Sequence, residues 1–536
     1  MELLRGKVIS VSWIALLAVV GASVLTAWLV YRHLILPAGV LGWDECAHAL
    51  YGLLIAHDIR QRDWIGLLLD TYRQVYWPPL HSWLSGVVFL IIGPSDIAAR
   101  GVSALCLIAF PPLLFLAALR MSAQYGIGAG LIAAWLALTS PTVIANSATC
   151  MLELPGLLAL TSTLLIYFHL MAKDAPEHRY MWVGIGLLAS FFAKTNYGIL
   201  LGLALIGAQA SDPSVGFRDL LNRRNMYIAL PVLLVLSVWF AHPAKLRATW
   251  EALANNPYGV RENFGAKGLL FYPRAFATLS GSFGMAAAYV ACLIAGVRLW
   301  RDVRIRLLLA LVLIQFLIGE FHQTKLERHL LPIYPALFLL AGYLAAACWA
   351  GAAGTRRDVL RRWVPQLAVL ILLIHSGTLP WSVSPPRAEA LDGEVLSQIA
   401  SFLRPPGAGL VVATWEAMCV PCLDWLLITR EGALNCPRAG SIVQVVKTKR
   451  FADLVSHGTA PRWLAGLVLP TLTRYERAGT SCTFYLDQDG LTPSTADVLA
   501  QTFGRKDLKR ALVITSAADR PAMPQFLFDP FLRAAS

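Results

Sequence analysis

Two stretches of this chain carry residues whose types and spacing suit chemistry: Trp43-Asp44-Glu45 and, further along, Trp77-Pro78-Pro79-Leu80-His81-Ser82-Trp83. The carboxylate pair lies between the apolar runs Leu34 to Trp43 and Ala47 to Ala56, where an unpartnered charge at a membrane interface is costly. A carboxylate pair just past a bilayer exit, followed by a Pro-Pro-Leu return to the surface, is the layout of an active site held at a membrane face. His48 follows Asp44 by four residues, so the two share one face of a helix and together could ligate a divalent metal. The bland alternatives are a helix cap for Asp44 and a packed, hydrogen-bonded side chain for His48.

The elements that position these groups follow from composition. With 536 residues, 57% of them hydrophobic and only 14% charged, the chain has too much apolar surface for a soluble globule. A mean hydropathy of +0.59 agrees. Val8 to Tyr31 contains no charge and is long enough to cross a hydrocarbon core of roughly 30 Å. The basic start Met1 to Lys7 resembles a signal peptide, but the apolar run is too long and no small-residue cleavage site follows, so the sequence predicts an uncleaved first helix. Eleven spans are expected in all, over 8–31, 98–119, 126–145, 155–171, 180–193, 196–210, 226–241, 284–300, 307–319, 329–350 and 363–381. The stretch 82–93 is too short to cross and reads as a helix in the interface, with Trp77 and Trp83 at headgroup depth.

Charge sets the orientation. With residue 1 cytoplasmic, every inner connection is basic: Arg5 and Lys7, Arg120, Lys173 and Arg179, Arg218 with Arg223 and Arg224, Arg298 to Arg306, and Arg356 to Arg362. This accounts for most of the +13 net charge without nucleic acid as a partner. The outer face then receives the loops 32–97, 146–154, 242–283 and 320–328, the turn at Lys194, and the tail. Past the hinge Pro385-Pro386 the pattern turns mixed, with an apolar run Gly409 to Thr414 and a helical pattern Glu394 to Leu403. The expected organisation is a polytopic α-helical membrane domain, 1–383, and an extracytoplasmic α/β domain, 384–536. Cys419, Cys422, Cys436 and Cys482 in that tail suit disulfides or inert packing better than a zinc or redox site, since Cys419-Val420-Pro421-Cys422 has no second pair.

Taken in order, Trp43-Asp44-Glu45, Trp77-Pro78-Pro79-Leu80, Leu152-Glu153-Leu154-Pro155, Ala193-Lys194-Thr195 and Arg328-His329-Leu330-Leu331-Pro332-Ile333-Tyr334-Pro335 resemble the GT-C glycosyltransferases. The nearest likeness is to the protein mannosyltransferase and lipid A aminoarabinose transferase branch, over residues 8 to 350. His329 stands where the family commonly has Tyr, and Glu153 where many members have Asp, which leaves the subfamily open.

The resemblance implies a polyprenyl-phosphate sugar as donor, an acceptor hydroxyl on a lipid, glycan or protein, and inversion at the anomeric carbon. Its leaving group is already a stable phosphate, so the acceptor hydroxyl is what needs a base. That base is expected at Asp44, with Glu45 and Glu153 positioning acceptor, sugar or a metal. Lys194 and Arg328 are expected to hold the donor phosphate at headgroup level, and Trp77, His81 and His329 to position substrate. A divalent metal at Asp44 and His48 is the one cofactor considered. Interfacial snorkelling is the alternative for Lys194 and Arg328, and a helix cap for Glu153. A bacterial inner or plasma membrane is the expected location. The competing class, a transporter or lipid flippase, would carry charges at mid-membrane and an internal repeat between halves, and no such repeat is visible.

Overall fold

The computed structural model describes residues 2–74, 77–122, 124–241, 245–246, 249, 266–321, 325–350 and 383–386, and in the tail 408–412, 425, 429, 442–445, 472–476, 482–487 and 510–516. The chain forms two compact units. The first comprises Met1–Ala38, Val75–Leu84 and Ile97–Pro386; the second comprises Gly39–Gln74, Ser85–Asp96 and Arg387–Ser536.

Long charge-free apolar runs become helices because a helix satisfies its own backbone, the condition for crossing lipid. The order is α1 (Glu2–Val30), continued by a π turn at Tyr31–Ile35, then α2 (Trp43–Gln61), α3 (Trp64–Arg73), α4 (Leu80–Ile92), α5 (Asp96–Met121), α6 (Gly126–Thr139), α7 (Pro141–Ser147), α8 (Glu153–Ala172), α9 (Met181–Ala193), α10 (Thr195–Ala210) and α11 (Arg223–Phe240). Further helices cover Phe271–Leu279, Phe283–Val297, Val303–Phe321 and Tyr334–Ala350, the last entered through a 3₁₀ turn, Glu327–Ile333. A helix therefore occupies each expected span position from 8 to 350; the position 363–381 lies outside the described residues. By length and composition, five of the described helices suffice to cross a membrane, or seven if the bent pairs α6–α7 (60°) and Phe271–Leu279 with Phe283–Val297 (106°) each count as one. α4, at 13 residues, falls short of a span.

In the first unit, glycines let helices meet backbone to backbone. A Cβ on Gly342 would collide with the Ala129 carbonyl of α6, and one on Gly184 of α9 with the Ile228 carbonyl of α11. Hydroxyls buried in the helices bond back to their own turn, as Thr163 Oγ1 does to the Ala159 carbonyl and Ser190 Oγ to that of Gly186, both within 2.9 Å. The outer faces stay apolar: Leu233 and Val238 of α11 are 68% and 66% exposed, and α1 likewise presents Ile14 and Leu17. Apolar outer faces on helices whose charges lie near their starts suit lipid and not water. The protein is an integral membrane protein.

In the second unit, Arg62 takes the left-handed conformation (φ 56°) and ends α2, and Asp63 caps α3 by accepting from the Gly66 N–H at 2.8 Å. Gly52 and Gly86 bring α2 and α4 into close contact, since a Cβ on either would meet the opposing helix. Trp425 of the tail donates its indole N–H to Asp96 Oδ1 at 2.6 Å and lies 5.5 Å from the Phe89 ring. The tail strands β1 (Ala408–Val412), β2 (Ile442–Val445), β3 (Leu472–Glu476), β4 (Cys482–Asp487) and β5 (Arg510–Ser516) form one sheet in the order β2-β1-β5-β4-β3. β1 runs parallel to both neighbours, and β4 antiparallel to both of its own. The apolar run Gly409 to Thr414 overlaps β1. The expected helix 394–403 and Cys419, Cys422 and Cys436 lie outside the described residues.

Contact between Gly342 and Ala129 leaves no room for a side chain, so Gly342→Val should destabilise the protein by about 1–3 kcal/mol. Gly202→Ala, in α10 with open space around it, should instead be neutral or stabilising by about 0.5–1 kcal/mol. Thermal unfolding of the two detergent-solubilised variants reads both.

Candidate active site

Three residues far apart in sequence converge in the first unit. Glu153 opens α8, Lys194 stands between α9 and α10, and Arg328 lies in the turn Glu327–Ile333, which packs against α8. The break at Lys194 is a single extended residue (φ −159°, ψ 120°) between two helices. No proline makes it. Gly198, one turn into α10, does: a Cβ there would stand 2.6 Å from the Phe191 backbone nitrogen, so only glycine lets α10 fold back so tightly on α9. The extended conformation turns the lysine toward α8, where Nζ meets Glu153 Oε1 at 2.6 Å.

Glu153 is 1% exposed and the Lys194 side chain 16%. Burial makes this pair obligatory, because either charge alone would be costly to keep from water. Glu153 Oε2 has no hydrogen-bond partner among the described residues, nor does the hydroxyl of Tyr197. The Tyr197 ring lies against Gly156, one turn along α8 from Glu153, and 5.7 Å from Lys194 Nζ. Arg328 is close enough to act on the Glu153 carboxylate through space. Glu153 thus lies in the first turn of α8 and also pairs with Lys194, whose ammonium is turned toward that carboxylate.

Around Arg328 a second polar group assembles. His329 Nδ1 meets the buried Tyr272 hydroxyl at 3.4 Å. Lys325, also buried, donates to Glu320 Oε2 at 2.5 Å and to the Gly268 carbonyl at 2.9 Å, and lies 5.6 Å from the Tyr272 ring. Trp77 is half-buried and His81 fully buried, also in the first unit.

Asp44, Glu45 and His48 all belong to α2, in the second unit. The cap of α2 is Gly42, whose N–H donates to Glu45 Oε2 at 2.8 Å. Capping therefore falls to Glu45, and Asp44 sits half-buried inside the first turn rather than at the cap. His48 is buried one turn further on. Among the described residues no group of three or more His, Cys, Asp or Glu side chains is placed to hold a metal ion.

Sequence reasoning missed Tyr197, Tyr272 and the Lys325–Glu320 pair. For Tyr197 a signal existed: it lies three residues after Lys194, the spacing that stacks side chains on one face of a turn. For Tyr272 none did, since its partner His329 is 57 residues away.

The asymmetry of the buried pair gives a measurable expectation. Lys194→Gln strands a carboxylate that is almost wholly buried and should cost on the order of 3 kcal/mol, more than Glu153→Gln, which leaves a partly solvated ammonium. The double variant should recover most of the loss, giving a coupling energy above about 1 kcal/mol in a double-mutant cycle of thermal stability. Additive losses would mean that the pair is not formed.

Comparison with known proteins adds the fold. No family model matches the chain, and no curated protein does. Among solved structures it resembles ArnT, the lipid A aminoarabinose transferase, from Cupriavidus metallidurans in the apo state, with 17% identity, TM-score 0.54, and 87% of this chain and 96% of that chain covered. The same protein bound to undecaprenyl phosphate matches with 16% identity and TM-score 0.54, covering 96% of this chain and 99% of that one. The archaeal oligosaccharyltransferase AglB from Archaeoglobus fulgidus matches with 13% identity and TM-score 0.48 over 78% of this chain and 63% of its own. The chain thus shares the fold of ArnT.

Proposed function

We propose that this protein is a membrane glycosyltransferase that moves a sugar from a polyprenyl-phosphate donor to an acceptor hydroxyl, with inversion, at the extracytoplasmic face of a bacterial inner or plasma membrane. The observation that carries the reading is the convergence of Lys194 and Arg328 around the buried Glu153, in a chain with the fold of a protein that has been captured with undecaprenyl phosphate. Two cations that both act on one buried carboxylate suit a lipid phosphate, which offers acceptor oxygens and negative charge at headgroup depth.

The step is a direct displacement. The acceptor oxygen forms a bond to the anomeric carbon as the bond from that carbon to the phosphate oxygen breaks. The electron pair stays with the phosphate, which becomes a monoester, and the acceptor proton passes to a carboxylate. Asp44 is the base in this reading: it lies in the first turn of α2, next to the Glu45 whose carboxylate accepts from the Gly42 N–H. Glu45 then holds the α2 terminus in place, and Lys194 and Arg328 take the phosphate. Trp77, His81 and His329 line the approach, with Tyr272 fixing the ring of His329. The acceptor is a lipid, glycan or protein hydroxyl, and a divalent metal at Asp44 and His48 would supply charge stabilisation there. The tail, 384–536, is the extracytoplasmic domain of this scheme.

Asp44→Asn keeps size and most hydrogen bonding but cannot take a proton, so single turnover with a defined polyprenyl-phosphate sugar should slow by at least ~10²-fold while donor still binds. Near-wild-type turnover moves the base to another carboxylate; donor binding with no transfer by the wild-type protein, to any hydroxyl acceptor, favours a flippase. Orientation has its own check. An alkaline phosphatase fusion after Ser384 should be active, and an inactive fusion there would reverse the proposed face.

A further inference from the structure

Lys194 is the cation expected to bind the donor phosphate, yet it already has a carboxylate 2.6 Å away. A site built only to attract phosphate would gain by omitting Glu153, which subtracts one charge beside two cations and pays for its burial as well. The reaction's own change of charge gives that carboxylate a purpose. The donor is a phosphodiester with a single negative charge; the lipid product is a monoester that carries close to two at pH 8, its second pKa being about 6. The product is thus the stronger ligand for any cationic site, and an enzyme that grips phosphate too firmly stalls on its product.

Resting on the proposed function, we infer that Glu153 sets charge discrimination at the phosphate site: its carboxylate, fixed on Lys194, tempers the cations so that the singly charged donor is held and the doubly charged product is released. Coulomb energy scales with ligand charge, so the carboxylate repels the monoester about twice as strongly as the diester, whatever else meets Lys194 and Arg328. Glu153 is in this view a specificity-determining residue, and its charge is what matters. The geometry favours it over a purely structural role: the single contact to Lys194 uses Oε1, while Oε2 accepts from nothing among the described residues, so the side chain is placed for its charge and not for a full set of hydrogen bonds.

The test is direct binding of two lipids, a polyprenyl phosphate and its non-transferable O-methyl diester, to the full chain in nanodiscs at pH 8. Glu153→Gln should tighten the diester roughly tenfold and the monoester by about the square of that factor, a hundredfold. In multiple-turnover assays the same variant should show a lower kcat with stronger inhibition by polyprenyl phosphate. Glu153→Asp, which keeps the charge, should retain the wild-type ratio of the two affinities. Arg328→Gln, which leaves the buried pair intact, is the mirror experiment if Glu153→Gln does not fold: it should loosen the monoester by the square of the factor for the diester. Equal factors for both lipids in these variants, or weaker binding in Glu153→Gln, overturn the inference alone. A wild-type protein that binds neither lipid overturns the proposed function and this inference with it.

Discussion

The ion pair between Glu153 and Lys194 is the constraint on which the first unit turns. It joins the start of α8 to the break between α9 and α10, in surroundings where neither charge is stable by itself. Because the lysine must reach a carboxylate buried to 1% exposure, the chain cannot continue α9 through residue 194, and the backbone there adopts an extended conformation. Gly198 makes the resulting turn sterically feasible, and Gly156 makes space for the Tyr197 ring beside it. Two glycines and one pair of opposite charges thus specify a local geometry that no helix propensity would produce.

Polar chemistry is otherwise kept to a minimum in this unit, as an apolar solvent demands. Several buried hydroxyls bond back to the preceding helical turn, and helices approach closely at small residues, with polar links between them such as Thr163 to Ser190 and Gln209 to Asn225. Charged side chains with fully buried ends, such as Lys325 on Glu320, occur where the chain leaves regular helices. Against that background the Glu153, Lys194 and Arg328 group stands out by its position at helix termini, where the backbone leaves room for it.

Much of this was legible in the sequence, for a physical reason. Uninterrupted apolar runs admit only helices in lipid, so α1, α5, α8 and α11 could be placed from residue types alone. The bends between α6 and α7 and between Phe271–Leu279 and Phe283–Val297 were not legible as spans, because a bend of 60° or 106° leaves the local hydropathy unchanged. Single candidate residues were visible as charges in apolar company: Asp44 in the second unit, and Glu153, Lys194 and Arg328 in the first. The pairing of Glu153 with Lys194 was not, since the two lie 41 residues apart in sequence and only helix packing brings them together. That Glu45 and not Asp44 reaches the Gly42 N–H was also hidden. Two adjacent acids look equivalent in sequence, and only the direction of the chain before α2 decides which of them reaches back to the Gly42 N–H.

The contact of Trp425 with Asp96 and Phe89 has a consequence for how the protein comes to exist. It closes a loop of 329 residues, so the second unit is discontinuous, assembled from two early segments and the tail. A ribosome delivers α2 and α4 long before Trp425, and those helices must wait through the insertion of most of the membrane domain for the last part of their packing. A protein built this way completes the packing of its second unit only when its own C-terminal segment arrives.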